Sequence, residues 1–194
     1  MQKVKKLQQH KKVIFKTVCT FVISYLIFLI LWIQVKDYYG KGILFTASQL
    51  IAGIKDVTFE EISEEKDKDI IQATFSPLRH GSNILIDIPV KTSSYTFNAP
   101  LTFAIMASLY LFIRKKGRAY GEALLILFFV HLLYVFSFEA KELTQVFIER
   151  GLEAVSKPRI FAYQFLWSFT DNMVIRFEPF LIGFYMFIRF RNKS

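Results

Sequence analysis

Cysteine is almost absent from this chain of 194 residues, which contains only Cys19. No intrachain disulfide can form, so cysteine gives no information about the redox compartment. Histidine is scarce as well, with three residues and no His-x-x-x-His pair, and we predict neither a bound metal nor a cofactor. The sequence also lacks Gly-x-Ser-x-Gly, Cys-x-x-Cys and a glycine-rich phosphate loop, which favours a non-enzymatic protein over an enzyme.

Hydrophobic residues are abundant by contrast, at 53% of the chain, and they form long blocks separated by charged segments. Such blocks are typical of membrane-spanning segments rather than of one soluble core. The formal net charge is +9, which in a soluble protein would raise nucleic acid as a partner. Here the basic residues flank the apolar blocks, so we interpret them as a membrane-topology signal and expect no nucleic-acid partner.

Four apolar stretches predict a mainly α membrane protein with four transmembrane helices and a small extracytoplasmic α+β segment. The predicted spans are residues 13–35, 95–113, 119–138 and 169–188. The first span follows a lysine-rich tail and offers no small-residue cleavage site, so we interpret it as an uncleaved anchor.

The fourth span is interrupted by Arg176, Glu178 and Pro179, and two interpretations stay open. In one, the helix begins near Phe169 and contains Pro179, which frees the carbonyl of Ile175. In the other, the helix begins at Glu178 and Pro179, and the preceding residues lie in the membrane interface.

Basic residues are concentrated in the N-terminal tail 1–12, with Lys16 at the inner end of the first span, in the loop 114–118 and in the tail 189–194. The segments 36–94 and 139–168 carry basic and acidic residues together. Four spans place the three basic segments on one side of the membrane and the two mixed segments on the other. We therefore predict a multi-pass protein with both termini in the cytoplasm.

The first outer segment, 36–94, contains signals for both helix and strand. Apolar residues recur at helical spacing over 39–55, which predicts an amphipathic helix whose apolar face contains Ile43, Ala47, Leu50, Ile51 and Ile54. The alternating patterns at 71–75 and 84–90 flank turn-forming residues at 77–83 and predict an antiparallel β-hairpin, with 57–62 as a candidate third strand. The charged stretch 60–69 is predicted to be a turn.

The second outer segment, 139–168, is predicted to be amphipathic and aromatic. Apolar residues over 141–155 fall on one helical face, and Lys157 and Pro158 are expected to end that helix. Five aromatic residues follow within 161–169, a density that fits the membrane–water interface.

Three ionisable residues in predicted spans are candidates for function. His131 lies within the third span, where it has the potential to bind a metal or relay a proton; we favour a neutral histidine hydrogen-bonded to a neighbouring helix. Arg176 and Glu178 are two positions apart, so they face nearly opposite sides of a helix and need other partners, such as Glu139. Either they fix the fourth span, or they form a functional site at the outer surface.

Glu122 is predicted to lie near the start of the third span. An acidic residue in the first turn of a helix is stabilised by the helix dipole, and this explanation suffices for Glu122.

The second span opens with the motif Tyr-x-x-(small or polar)-x-Pro-Leu, formed by Tyr95, Asn98, Pro100 and Leu101. Pro100 is expected in the first helical turn, and Asn98 is expected to cap the helix. This motif, an N-terminal anchor, an outer β-rich segment and a four-span length together resemble the exosortase H-associated membrane proteins. These are bacterial inner-membrane proteins linked with an exosortase, a membrane enzyme that processes sorting-signal proteins.

The resemblance implies an accessory protein at the outer face of the inner membrane, with membrane lipid and an exosortase-like enzyme as partners. Exosortase chemistry is thought to need a cysteine near the outer face, whereas Cys19 is predicted near the inner one. The family supplies no catalytic residues to carry over, and it raises interest in Tyr95, Asn98 and Pro100. The alternative is a small membrane enzyme or transporter that uses His131, Arg176 and Glu178.

Overall fold

The computed structural model of the protein describes residues 2–64, 69–78, 84–110, 112–113, 116–152 and 156–191. These residues form a mainly helical protein with a small three-stranded antiparallel sheet, as the sequence predicts. The elements are α1 (Gln2–Ile54), β1 (Val57–Glu64), β2 (Ile70–Pro77), β3 (Ile86–Lys91), α2 (Thr92–Thr96), α3 (Ala99–Leu109), α4 (Lys116–Glu149), α5 (Lys157–Phe169), a π-helical segment (Thr170–Ile175) and α6 (Arg176–Phe190).

Helix α1 is one continuous helix of 53 residues. The predicted first span 13–35 and the predicted amphipathic helix 39–55 are therefore parts of one element. No proline interrupts this stretch, so nothing in the sequence ends the helix between the two parts. In its last third, Ile43, Ala47 and Ile51 are buried on one side, whereas Leu50 and Ile54, expected on the same face, are exposed.

The sheet has the strand order β1-β2-β3. Strand β2 pairs antiparallel with β3, with Ala73 opposite Ile88 and Phe75 opposite Ile86, so the predicted alternation buries one face. Strand β1 confirms the candidate third strand. Of the predicted turn at 77–83, residues 79–83 lie outside the described part of the chain.

The predicted turn at 60–69 is wrong for residues 60–64, which belong to β1. This strand lies at the edge of the sheet, where charged side chains can point into solvent without loss of pairing. Glu60 and Glu61 are exposed there, and the register shifts between Phe59 and Glu61. Residues 65–68 lie outside the described part of the chain.

The chain divides into two compact units. The helical unit contains residues 1–34, 98–127 and 177–194, and the sheet unit contains residues 35–97 and 128–176. Each unit has its own hydrophobic core. In the sheet unit, residues of α1 such as Ile43 pack with the buried face of the sheet and with Leu143 of α4. In the helical unit, α3, α4 and α6 pack together through buried residues that include Met106, Ala123 and Met186.

Helix α4 is also longer than predicted, because it continues through Phe138 and Glu139 to Glu149. Its end is set by Gly151, whose φ of 66° is a left-handed conformation that favours glycine. The amides of Gly151 and Leu152 donate to the carbonyls of Ile148 (3.1 Å) and Phe147 (2.9 Å), which forms a Schellman motif. Lys157 and Pro158, expected to end this helix, instead begin α5, where proline fits the first turn.

Residues 157–190 are helical throughout, with the π-helical segment Thr170–Ile175 between α5 and α6. Pro179 lies inside α6, which agrees with the interpretation that the helix begins before Pro179. Pro179 has no N–H to donate to the carbonyl of Ile175, and the wider π-helical turn ends at that residue.

Among the described residues, two helices are long and apolar enough to cross a membrane, α1 from Lys11 onward and α4. Helix α3 has 11 residues and α6 has 15, whereas a bilayer core takes about 20 residues of straight helix.

Candidate functional site

Polar side chains of α1, and of Lys55 directly after it, meet polar side chains of α4 inside the sheet unit. They form three hydrogen-bonded pairs, which we call the polar ladder. The pairs are Tyr39 Oη with His131 Nδ1 at 2.8 Å, Ser48 Oγ with Glu139 Oε1 at 2.6 Å, and Lys55 Nζ with Thr144 Oγ1 at 2.5 Å. Two pairs join α1 to α4 and the third joins the residue that follows α1 to α4, so the ladder fixes how the two helices pack within this unit.

The polar ladder also shows the relative direction of the two helices in the sheet unit. Its partners are separated by 92, 91 and 89 positions in the sequence. In an antiparallel pair the separation would change steadily from one pair to the next. The nearly constant separation means that α1 and α4 run parallel where they pack.

His131 is fully buried between two tyrosine rings. The rings of Tyr39 and Tyr95 meet it edge-on, with centroids 5.5 and 5.9 Å away. The structure thus brings together two of the residues singled out from the sequence, His131 and Tyr95. The hydrogen bond to Tyr39 is the type of contact favoured for His131 in the sequence analysis.

Tyr95 is held in place by α1 through a glycine. Its hydroxyl donates to the carbonyl of Gly40 at 3.1 Å. A Cβ atom at Gly40 would lie 2.5 Å from Cγ2 of Thr92 and 3.2 Å from the Tyr95 hydroxyl. Only glycine allows α1 to approach α2 this closely.

Glu139 is the most unusual member of the polar ladder, because it is a fully buried carboxyl group. One oxygen accepts from Ser48, and the other has no hydrogen-bond partner among the described residues. Sequence reasoning had placed Glu139 only as a partner for Arg176 or Glu178. A helix-spaced signal was present, since Glu139 follows His131 by two turns and therefore lies on the same face of α4.

Lys55 is buried at the end of α1 and was also missed. Its Nζ lies 4.7 Å from the centroid of the Tyr163 ring and 5.7 Å from that of Phe147. The aromatic faces stabilise the ammonium group away from water, and the Thr144 hydroxyl oxygen accepts a hydrogen bond from it. Lys55 thereby joins α1 to α4 and α5 within the sheet unit.

Glu178, Asn98 and Pro100 belong to the helical unit. Glu178 is 1% exposed, and the hydroxyl of Thr102 on α3 donates to its Oε1 at 3.2 Å. Asn98 lies one turn before Thr102, is buried and occupies the N-cap position of α3, as predicted, but its side chain makes no capping hydrogen bond. Its backbone is already helical there, which points the side chain away from the amides of the first turn. Pro100 lies in that first turn, as predicted.

Arg176 is exposed, in contrast to the buried Glu178. The two residues do face different directions, as their spacing predicts. The hydrogen-bond partner that the structure shows for Glu178 is Thr102.

Glu122 connects two helices of the helical unit. Helix α4 begins at Lys116, so the expectation that Glu122 lies in the first turn is wrong. Its carboxylate accepts from Arg118 (2.8 Å) on the same helix, and from Arg189 (3.1 Å) and Tyr185 (2.5 Å) on α6. The helix dipole is therefore not needed to explain this residue.

Asp69 anchors the start of β2 to the rest of the sheet unit. Its carboxylate accepts from the side chains of Lys36 (3.3 Å) and Ser93 (2.5 Å) and from the Ser93 amide (3.1 Å). Partial burial acts to raise the pKa of Asp69, but the hydrogen bonds from Ser93 and Lys36 outweigh it and hold that pKa below its usual range.

Helix α5 presents an exposed aromatic face. The rings of Phe161, Phe165 and Phe169 stack at centroid distances of 6.2 and 6.1 Å, and we call them the phenylalanine stack. On the other side of α5, Trp167 packs against Tyr134 at 4.8 Å. No residue of α5 is fully buried, so the phenylalanine stack is a free apolar surface of the described protein.

The chemistry available to these groups is limited by burial. His131 and Glu139 have no exposed surface, so neither meets a substrate unless the sheet unit opens. Within the described parts of the chain, no group of three or more His, Cys, Asp or Glu residues is placed to hold a metal ion. The buried hydrogen bonds of the polar ladder hold helices together, whereas the exposed phenylalanine stack is available to contact another molecule.

Residues 12–190 match the family model of the exosortase H-associated membrane proteins. No curated protein matches the chain, and no solved structure matches it.

Proposed function

Because this chain belongs to the exosortase H-associated membrane protein family, we propose that it is a non-enzymatic accessory protein of the bacterial inner membrane. In this role it binds an exosortase-type enzyme at the outer face of the membrane and assists the processing of sorting-signal proteins. The observation that carries the proposal is the family match over nearly the whole chain.

The proposal includes four membrane passes with both termini in the cytoplasm. Helices α1 and α4 run parallel in the sheet unit and are both long and apolar enough to span. If both cross the bilayer, the chain between them returns across it, and the predicted span 95–113, which contains α3, is the apolar segment available for that return. The apolar helix α6 then supplies the fourth pass and brings the basic tail to the cytoplasmic side.

We place the contact with the enzyme on the phenylalanine stack of α5. Its outermost ring, Phe161, is 69% exposed, and the three rings form one continuous apolar face. Aromatic side chains dominate the energetics of protein interfaces because each buries a large area at small entropic cost. The opposite side of α5 is anchored by Trp167, so the stack is presented on a supported helix.

Affinity purification of the full chain in mild detergent from its native membranes tests this function. We expect an exosortase-type enzyme to co-purify, and we expect Phe165→Ala to reduce its recovery at least tenfold, the loss expected for an interface anchor. Phe129→Ala is the matched control, since Phe129 belongs to the same unit and is equally exposed (60% against 59%) but lies outside the stack. Recovery of the chain with no membrane enzyme would refute the proposal, whereas equal loss in both variants would refute the assignment of the surface.

The alternative function, an enzyme or transporter that uses His131, Arg176 and Glu178, is less well supported. His131 and Glu178 are buried and already have hydrogen-bond partners, Tyr39 and Thr102. Single alanine substitutions at the three positions separate the two functions. If sorting of substrate proteins continues in cells that carry each folded variant, the alternative is excluded; if any variant retains the enzyme partner but stops sorting, the alternative is favoured.

A further inference from the structure

A long apolar groove lies between α1, α3 and α4 in the helical unit. Its volume is about 700 Å³, within the range of sites that hold small ligands. Its walls are formed mainly by the side chains of Phe28, Phe103, Met106 and Leu124. The proposed accessory function does not use this groove.

The two ends of the groove differ in chemistry. At one end stand Lys16 and Thr20 of α1 and the ring of Tyr110 at the end of α3. A second ammonium group is close to this end, because Nζ of Lys116 lies 3.3 Å from the centroid of the Tyr110 ring. At the other end the rings of Phe28 and Phe103 meet, with centroids 5.3 Å apart. The groove is therefore cationic at one end and apolar at the other.

The length of the groove matches one leaflet of a bilayer. Lys16 and Phe28 are twelve positions apart on α1, which corresponds to about 18 Å at the helical rise. Half the hydrocarbon core of a bilayer is about 15 Å thick. An extended hydrocarbon chain with its polar group at Lys16 thus fits along the groove.

We propose that this groove binds one acyl chain of an anionic phospholipid, with the lipid phosphate at Lys16. The apolar walls exclude a polar ligand, and the cationic end selects a negative headgroup over a zwitterionic one. A second apolar groove of the same unit, lined by residues such as Ile105, Leu109 and Leu181, has no basic residue among those that line it. The difference in charge is the reason for assigning the lipid to the first groove.

Native mass spectrometry of the purified full chain tests the headgroup site. The probes are phosphatidylglycerol and phosphatidylcholine with identical acyl chains, added after removal of endogenous lipid. We expect one molecule of phosphatidylglycerol to be retained in preference to phosphatidylcholine. We expect Lys16→Glu to lower the affinity for phosphatidylglycerol by at least about fivefold, the effect of one basic residue near an anionic surface. Lys11→Glu is the matched control, because it reverses the same charge on the same helix but does not line the groove.

The acyl-chain site is tested by filling it. Ala107→Phe places a ring among the lining residues, and we expect it to abolish retention of the lipid while the thermal unfolding transition is preserved. Leu181→Phe adds comparable bulk to the second groove and is expected to leave retention unchanged. If Ala107→Phe unfolds the protein, Leu124→Phe fills the rim of the same groove, where the side chain is 46% exposed.

Three results would overturn the proposal. The first is equal retention of the two phospholipids by the unmodified protein. The second is the same loss for Lys11→Glu as for Lys16→Glu. The third is that the protein retains no lipid but forms a dimer, or a complex with another protein, and that Ala107→Phe dissociates this dimer or complex. None of these results bears on the binding of the enzyme through α5, so the two proposals fail independently.

Discussion

Gly40 and Gly42 lie two positions apart on α1, but Gly40 is closely packed and Gly42 faces open space. A Cβ atom at Gly40 would meet Thr92 and Tyr95, whereas nothing lies within 4 Å of one at Gly42. Both glycines look alike in the sequence, since each interrupts the same helical pattern. Their difference arises from the packing of α2 on α1, which no local pattern contains.

We expect Gly40→Ala to lower the free energy of unfolding by about 1–3 kcal/mol, because the added methyl group overpacks the contact with α2. Gly42→Ala is expected to raise it by about 0.5–1 kcal/mol, since alanine favours a helix interior. Thermal or chemical unfolding of the two variants in the same detergent measures both effects. A loss of stability at Gly42 equal to that at Gly40 would contradict the close approach described for α1 and α2.

Asp69 gives the sheet unit a pH dependence of definite sign. Its folded pKa is depressed, so its stabilising contribution is present above the unfolded pKa of about 4 and is lost as the pH falls through the folded pKa. We expect Asp69→Asn to cost about 1 kcal/mol at pH 7, and we expect this cost to shrink as the pH is lowered below about 4.

Unfolding transitions measured from pH 3 to pH 7 check this prediction. Glu61→Gln, an exposed position on β1, controls for the loss of one negative charge. A cost for Asp69→Asn that is constant across this range would show that the carboxylate is not held by Ser93 and Lys36.

At the scale of single elements, a buried hydrogen bond from Thr102 to Glu178 joins α3 to α6. We expect Thr102→Val to destabilise the protein by about 1–3 kcal/mol, because the buried carboxyl group loses a donor at constant side-chain volume. Thr46→Val is the control, since the Thr46 hydroxyl bonds only to the carbonyl of Gly42 on its own helix in an exposed position.

A double-mutant cycle isolates the contribution of that pair. We expect Thr102→Val combined with Glu178→Met to cost less than the sum of the single changes, since no buried donor or acceptor of this pair is then left unsatisfied. Strictly additive costs would indicate that Thr102 and Glu178 do not interact.

The helices and strands were predictable from the sequence wherever the apolar residues recur at a clear helical or strand spacing. Alternation gave β2 and β3, and apolar spacing gave the helical face of Ile43, Ala47 and Ile51. Element boundaries were less predictable. Charged residues mark a turn and an edge strand equally well, so residues 60–64 of β1 were assigned to a turn, and Lys157 and Pro158 mark the start of a helix as well as its end.

The candidate site was predictable in part, for a physical reason. Ionisable residues within apolar stretches are visible in a sequence, so His131 and Glu178 were found. Glu139 and Lys55 lie just beyond such stretches and resemble ordinary surface residues. Their burial follows from tertiary contacts between α1 and α4 that are about 90 positions apart in the chain.

At the scale of the whole molecule, the proposed topology makes a prediction for each connection. Fluorescent-protein fusions after Gly117 and after Ser194 are expected to fluoresce, because both points lie on the cytoplasmic side. Alkaline phosphatase fused after Leu152 is expected to be active, because that point lies outside. An active phosphatase fused after Ser194 would show that the C-terminus lies outside, which would contradict the fourth pass and leave an odd number of spans.

The parallel pairing of α1 and α4 has a consequence for biosynthesis. Ser48 leaves the ribosome 91 positions before Glu139, the residue that it binds. At about 5–20 residues per second, the first helix waits roughly 5–20 s for its partner. During that interval Tyr39, Ser48 and Lys55 have none of their polar-ladder partners, and the newly made helix depends on the insertion machinery, or on water at the membrane surface, to solvate them.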